Sequence, residues 1–264
     1  MYRGFNLELT NEPSRRYINI GKEIKKVNNE VIKKTLDSFL LNNGSLDGSK
    51  IISEWFPEIN SHIFLSHSHH DEDIAMNLAG LLYESFNIFT FVDSTVWGYS
   101  NDLLKKIDDK YCMNNDGLNY NYDKRNYSTA HVNLMLSTAL NKMIDNCECL
   151  LFLNSPNSIS TSTEIINKTN SPWIFSEIST SKIIRKRTPE RLKEETRLYS
   201  AESIKVLNES NLIKLSIEYE TELSHLKKLT RSDIIKWLST NNSTPENALD
   251  ELYHQHPIDK KFLL

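Results

Sequence analysis

The stretch His62-Ile-Phe-Leu-Ser66-His-Ser-His-His-Asp71-Glu-Asp73 joins a short apolar run to a dense group of polar side chains. The apolar run is typical of a buried strand, and the residues that follow the polar group have the apolar spacing of a helix. In an open parallel sheet, ligands bind outside the carboxyl ends of the strands. The sequence therefore predicts a strand over 62–66 that delivers Ser66, His67 and Ser68 to a binding crevice.

Two further strands are predicted downstream, and each is followed by polar residues. Residues 87–93 are rich in β-branched and aromatic side chains and end at Asp93. Residues 149–153 form an apolar run that leads into Asn154 and Ser155. Because helical patterns separate these runs, we predict an α/β fold in which a central parallel sheet carries helices on both faces.

The chain is expected to divide into three segments. An amphipathic pattern over 17–41 predicts a helix, so residues 1–58 are expected to form a helical N-terminal extension. Residues 59–240 contain the alternating strands and helices, with a last strand predicted at 213–219, where apolar and polar residues alternate. Residues 241–264 are expected to form a C-terminal helical tail.

A helix is also predicted after the segment 154–171, which is rich in serine, threonine and asparagine. Ser171 and Pro172 are residue types favoured at a helix N-cap and at the first helical position. On that helix Trp173 and Glu177 are four residues apart, so their side chains share one face. A carboxylate beside an aromatic ring is suited to stabilising a ribosyl cation. A glutamate favoured by the helix dipole and a tryptophan buried in the core are the simpler interpretations.

Composition narrows the classes of function. The chain has 264 residues, a net charge of −4 and a pI near 6.1, so no overall positive field favours nucleic acid. It has only 7 glycines and no G-x-G-x-x-G or P-loop motif, which disfavours those two nucleotide cradles. No apolar run approaches the ~18 residues of a membrane span. The 3 cysteines are most simply reduced core thiols, and we expect a cytoplasmic protein.

These motifs and their order resemble the TIR (Toll/interleukin-1 receptor) domain over roughly residues 60–238. The features that carry the resemblance are a strand ending in Phe64-Leu65-Ser66-His67, an acidic helix start at Asp71-Glu72-Asp73, a strand ending in Asp93, the strand Leu151-Phe-Leu-Asn-Ser155, and the helix opened by Ser171-Pro-Trp173 with Glu177. The chain is most similar to the prokaryotic TIR proteins of anti-phage defence, including Thoeris-type systems. The resemblance implies a flavodoxin-like three-layer fold.

The resemblance also implies an enzyme that cleaves the nicotinamide–ribose bond of NAD, with NAD as the substrate and no cofactor. The product would be an ADP-ribose-derived signal that a downstream effector senses. Glu177 would be catalytic, and copies of the chain would associate through the loop 93–99. The insertion at 109–130 and the long loop 154–171 depart from the family pattern and leave the product open. The residues expected to bind the substrate are Ser66, His67, Ser68, Asp93, Trp97, Asn154, Ser155 and Trp173.

Two other functions compete with NAD cleavage. A TIR scaffold without enzymatic activity would use the same fold only for self-association. A zinc hydrolase is the second alternative, because His67, His69 and Asp71 match the H-x-H-x-D spacing that begins a metallo-β-lactamase-like site. That signature requires a further histidine where Glu72 stands, so the sequence predicts no bound metal.

Overall fold

The central feature of the computed structural model is a five-stranded parallel sheet between two layers of helices, as the sequence predicts. The structure describes residues 1–9, 14–29, 35–159, 167–195, 217–242 and 244–257. Its strands are β1 (Arg3–Leu7), β2 (Ile63–Ser66), β3 (Thr90–Val92), β4 (Cys149–Leu153), β5 (Lys168–Thr169), β6 (Tyr219–Glu220) and β7 (Lys227–Leu229). Strands β5 and β6 form a separate antiparallel pair.

The helices of the described residues lie on both faces of the sheet. They are α1 (Arg15–Asn29), α2 (Gly48–Trp55), α3 (Glu72–Phe86), α4 (Ser94–Ile107), α5 (Tyr122–Asn146), α6 (Pro172–Ile183), α7 (Arg231–Leu238) and α8 (Pro245–Gln255). None of these helices combines the length and the apolar character needed to cross a bilayer.

The strand order β3-β2-β4-β1-β7 creates a reversal in the path of the chain. From β2 the chain passes through α3 to β3 on one side, and then through α4 and α5 to β4 on the other side. Such a topological switch point opens a crevice at the carboxyl ends of the two central strands, here β2 and β4. Without β1, the order β3-β2-β4-β7 follows the flavodoxin-like arrangement.

Strand β1 is the main departure from the expected domain division. It lies between β4 and β7, and Phe5 and Leu7 are fully buried. Residues 1–58 are therefore not a helical extension, and the predicted helix over 17–41 is shorter. Helix α1 covers part of that range, residues 30–34 lie outside the described residues, and Leu36–Phe39 form a short 3-10 helix. A five-residue strand with two inward apolar side chains is too short to stand out as a pattern.

The C-terminal part also differs from the expectation. Of the strand predicted at 213–219, residues 213–216 lie outside the described residues, and Tyr219 belongs to β6 rather than to the main sheet. The fifth place in the sheet is taken by β7. Helix α8 is part of the core, since Trp237 Nε1 donates to the carbonyl oxygen of Ala248 at 2.7 Å. The described part of 241–264 is therefore not a separate tail.

Alternation along the strands decides which side chains meet which helical layer. Ile63 and Leu65 pack with α3, α7 and α8, whereas Phe64 and Phe91 pack with α2, α4, α5 and α6. Side chains two residues beyond Phe64 and Phe91 point to the same face. The carboxyl ends of β2 and β3 are thereby directed towards the layer that contains α6.

Helices α1 and α3 cross at a distance that only glycine permits. A Cβ atom on Gly21 would lie 2.2 Å from the carbonyl oxygen of Met76, and one on Gly80 would lie 2.0 Å from that of Tyr17. The two backbones are therefore in direct contact at this crossing.

This crossing predicts opposite effects for two glycine substitutions. Gly80→Ala should lower the free energy of unfolding by about 2 kcal/mol or more, because the added methyl group overpacks the contact. Gly98→Ala in α4 is the matched control, since a Cβ there has open space. It should be neutral or stabilising by up to ~1 kcal/mol, because alanine is the better helix former. Urea denaturation measures the free energy of unfolding of both variants. Equal destabilisation by the two substitutions would contradict the close contact between α1 and α3.

Candidate active site

Four side chains that the sequence predicted as site residues meet where β2 and β3 end. Ser66 Oγ donates a hydrogen bond to Glu177 Oε2 at 2.6 Å. His67 Nδ1 lies 2.5 Å from Asp93 Oδ1. All four residues are buried, and Glu177 is only 1% exposed. The fold therefore joins residues from two strand ends and a distant helix into one polar cluster.

Local structure explains how α6 and α4 present their carboxyl groups. Helix α6 begins with the predicted cap, in which Ser171 Oγ accepts a hydrogen bond from the Ile174 N–H at 3.3 Å. Ile174 and Ile178 pack into the core and turn Glu177 towards the sheet. Asp93 Oδ1 accepts a hydrogen bond from the Ser94 N–H at 2.7 Å, which caps α4.

The environment of Glu177 favours its protonated form. Burial raises the pKa of Glu177 well above its ordinary value, and the negative charge of Asp93 raises it further. The hydrogen bond from Ser66 acts in the opposite direction but does not compensate. Within the described residues, neither Glu177 Oε1 nor Asp93 Oδ2 receives a hydrogen bond from a donor. A hydrogen bond between the two carboxyl groups, which requires the protonated form of Glu177, contributes to the raised pKa of Glu177.

Asp93 also acts on His67, the fourth residue of the cluster. Burial acts to lower the pKa of His67, but the charge of Asp93 and its hydrogen bond outweigh burial, so that the pKa is raised. The cluster thus favours the neutral form of Glu177 and the charged form of His67. Clefts that hold ionisable groups with perturbed pKa values are candidate functional sites.

A further buried carboxylate, Asp71, contacts the loop after β4. Asp71 Oδ2 accepts a hydrogen bond from Ser155 Oγ at 2.5 Å, and Asp71 Oδ1 accepts one from Asn157 Nδ2 at 2.7 Å. Asp71 stands at the N-cap position of α3, yet its side chain makes no capping hydrogen bond. It holds the loop after β4 instead. The sequence predicts Asp71 at an acidic helix start or, in the alternative function, as a zinc ligand. It does not predict the contact of Asp71 with the loop after β4, because this contact joins two distant loops.

The remaining predicted substrate-binding residues lie in different surroundings. Ser68 is buried beyond the end of β2, and the Asn154 N–H donates to the carbonyl oxygen of Leu7 at 2.8 Å. Trp173 is half-buried and packs against the core, as the simpler interpretation of this residue holds. The structure therefore brings Ser155 and Asn154 to the switch point but directs Trp173 towards apolar neighbours.

The expected loop 93–99 is helical from Ser94 onwards. The prediction of a loop is wrong because the Asp93 carboxylate caps the helix directly after β3. The backbone of Trp97 is part of α4, and its side chain lies outside the described part of the structure. The same is true of Val96, whereas Tyr99 is half-buried against the core.

The residues of the zinc alternative have different partners. His67 contacts Asp93, Asp71 holds Ser155 and Asn157, and His69 is exposed. Across the described ranges, no group of three or more histidine, cysteine, aspartate and glutamate side chains is arranged to hold a metal ion.

Comparison of the chain with models of protein families, with curated protein sequences and with solved structures finds no match.

The proton on Glu177 predicts a dependence of stability on pH. A raised pKa in the folded state contributes stability that is complete below the ordinary pKa near 4.5 and is lost as the pH rises through the folded-state pKa. Glu177→Gln keeps the neutral form at every pH. Its stability relative to the wild type should therefore increase with pH, by up to about 1.4 kcal/mol per pH unit in that window.

Urea denaturation of both proteins from pH 4 to pH 9, in ~1-unit steps, measures this difference. Parallel stability profiles would show that Glu177 is not protonated in the fold.

Proposed function

We propose that this protein cleaves the N-glycosidic bond between nicotinamide and ribose in NAD. The observation that supports this function is the buried Glu177 carboxyl group, held beside Ser66 and Asp93 at the carboxyl end of the sheet. The position matches the crevice in which open α/β sheets bind ligands. The motif resemblance to TIR enzymes gives the same residue the catalytic role.

The reaction needs negative charge close to the ribose. As the bond breaks, its electron pair leaves with the nicotinamide nitrogen, and positive charge develops on C1 and O4 of the sugar. An ionised Glu177 stabilises that charge. Water then attacks C1 and releases one proton to solvent, so that the products are ADP-ribose and nicotinamide. Attack by a hydroxyl group within the substrate would give a cyclic product instead.

Glu177 must lose its proton before it can act in this way. The pyridinium ring of NAD is cationic, and a nearby positive charge favours the ionised carboxylate. In the structure, Glu177 Oε2 accepts a hydrogen bond from the Ser66 hydroxyl group. Ribose hydroxyl groups can replace it as donors when the substrate enters. The second carboxylate of the cluster, Asp93, is held in a fixed position by His67.

Complete burial of Glu177 is the observation that favours the second candidate function, a TIR scaffold without catalysis. A carboxyl group sealed in the interior can serve to fix α6 on the sheet. Incubation of the purified protein with NAD distinguishes the two functions, because only the enzyme releases nicotinamide. A nucleotide signal would in addition require an effector that senses it.

The first prediction for the enzyme concerns Glu177→Gln, which keeps the shape of the side chain and removes its charge. It should lower kcat by ~100-fold or more, because the ribosyl cation loses its stabilising carboxylate. Glu222→Gln is the control, since that glutamate is exposed and pairs with Lys182. Nicotinamide release measured by chromatography gives both rates. Near wild-type turnover by Glu177→Gln would refute the catalytic assignment.

A second prediction concerns pH. Since Glu177 reacts in its ionised form, kcat/KM should rise with pH up to the pKa of Glu177 in the free protein and then level off. In Asp93→Asn this rise should move to lower pH, because the charge that raises the pKa is absent. An unshifted profile would show that Asp93 does not act on Glu177.

Self-association through residues 93–99 is a third proposal. A neighbouring copy would complete the pocket beside Asp93, as the TIR resemblance implies. Trp97→Ala should then reduce both assembly and NAD cleavage, measured by light scattering and by nicotinamide release over a range of protein concentrations. Specific activity that is independent of concentration in a monomeric protein would exclude this arrangement.

A further inference from the structure

The polar, tyrosine-rich segment 109–130 has a structural role that NAD cleavage does not explain. It lines a cleft of about 780 Å³ through Tyr111 and Cys112 and through its last part, which begins α5; the turn at 44–48 and the next residues of α5 complete the lining. The lining shares no residue with the cluster around Glu177. Its volume lies in the range of cavities that hold small organic ligands, about 300–1,000 Å³.

Aromatic rings stand at the walls of this cleft. Tyr111 is 37% exposed and Tyr127 is 70% exposed, so both rings retain surface that a ligand could cover. The ring of Tyr127 meets His131 edge-on, with 4.4 Å between the ring centroids. Leu46 and Met135 add apolar side chains to the same lining. Aromatic and apolar side chains in one lining favour a planar aromatic ligand.

The wall of the cleft that carries Tyr111 is a turn of π-helix that a buried carboxylate holds in place. Helix α4 continues into a turn of π-helix over Asp108–Cys112. Asp108 is 2% exposed; its carboxylate accepts a hydrogen bond from Ser128 Oγ and lies 3.1 Å from Arg125 Nε. Turns of π-helix are rare and occur frequently at functional sites. The buried Asp108 holds this wider turn so that Tyr111 and Cys112 line the cleft.

Two opposite charges at the cleft select the class of ligand. Asp123 and Lys124 both line it, and within the described part of the chain neither side chain forms an ion pair. The Asp123 carboxylate offers hydrogen-bond acceptors and the Lys124 ammonium group offers donors, and their two charges cancel. A phosphate group attracted by Lys124 would also face Asp123. Hydroxyl and amino groups on an uncharged ligand can bind to both.

We propose that this cleft is a second small-molecule site, which takes an uncharged heteroaromatic ligand of nucleoside size. The base lies against Tyr111 and Tyr127, and the polar edge of the ligand bonds to Asp123 and Lys124. The inference is independent of NAD cleavage, because the two sites share no residue. It gives the insertion at 109–130 a function of its own.

Calorimetric titration of the full chain with adenosine tests the proposal, with adenosine monophosphate and ribose as comparison ligands. Adenosine should bind more tightly than either. Tyr127→Ala and Tyr111→Ala should each weaken adenosine binding by about tenfold or more, because a stacking surface is lost. Tyr122→Ala is the matched control, since Tyr122 is 78% exposed and lies outside the lining.

Glu177→Gln should bind adenosine as the wild type does, which separates this site from the NAD-cleaving one. Several results would overturn the proposal. These are no binding of adenosine at millimolar concentration, equal binding by Tyr127→Ala and the wild type, tighter binding of the monophosphate, or equal binding of ribose alone.

Discussion

The arrangement of this protein depends on a buried carboxyl group that the interior cannot solvate. Glu177 is nearly inaccessible to solvent, and Asp93 is fully buried beside it. Two carboxylates in such a setting repel each other and lose their hydration. The structure relieves this conflict by raising the pKa of Glu177, by a hydrogen bond from Ser66 and by the His67 ring beside Asp93. Groups held so far from their ordinary ionisation are typical of sites that perform chemistry.

The location of this cluster follows from the path of the chain. The strand order reverses between β2 and β4, and at their carboxyl ends Asp71 accepts a hydrogen bond from Ser155. Strand β1 supports the same region. Its last residue pairs with Leu153, and the carbonyl oxygen of Leu7 accepts a hydrogen bond from the Asn154 N–H. A strand from the start of the chain thus anchors the loop that carries Ser155.

Helix α5 connects the two proposed sites. Its amino-terminal half contributes Tyr127 and His131 to the cleft beside the insertion. Its carboxyl-terminal half packs on α6, where Asn141 Oδ1 accepts a hydrogen bond from Thr180 Oγ1 at 2.8 Å. The helix that presents Glu177 therefore rests on the same rigid element that forms a wall of the cleft.

The sequence by itself determined the elements whose signals are local. The strands at Ile63–Ser66 and Cys149–Leu153 are continuous apolar runs, and the start of α6 is marked by a serine cap followed by proline. Since parallel strands deliver their carboxyl ends to one edge, the pattern also placed Ser66 and Asp93 in one site. The prediction of Glu177 as their neighbour came from the family resemblance.

Only the tertiary structure decided the features that depend on contacts between distant segments. Strands β1 and β7 are short, and β7 is mostly lysine. Pairing rather than propensity makes them part of the sheet, because β1 lies between β4 and β7, and β7 pairs with β1 at the edge. The hydrogen bonds of Asp71 to the loop after β4 and the raised pKa of Glu177 beside Asp93 depend on distances between side chains. The cleft at the insertion requires three chain segments to meet. Spacing along a sequence does not contain these distances, because they arise only when the layers pack.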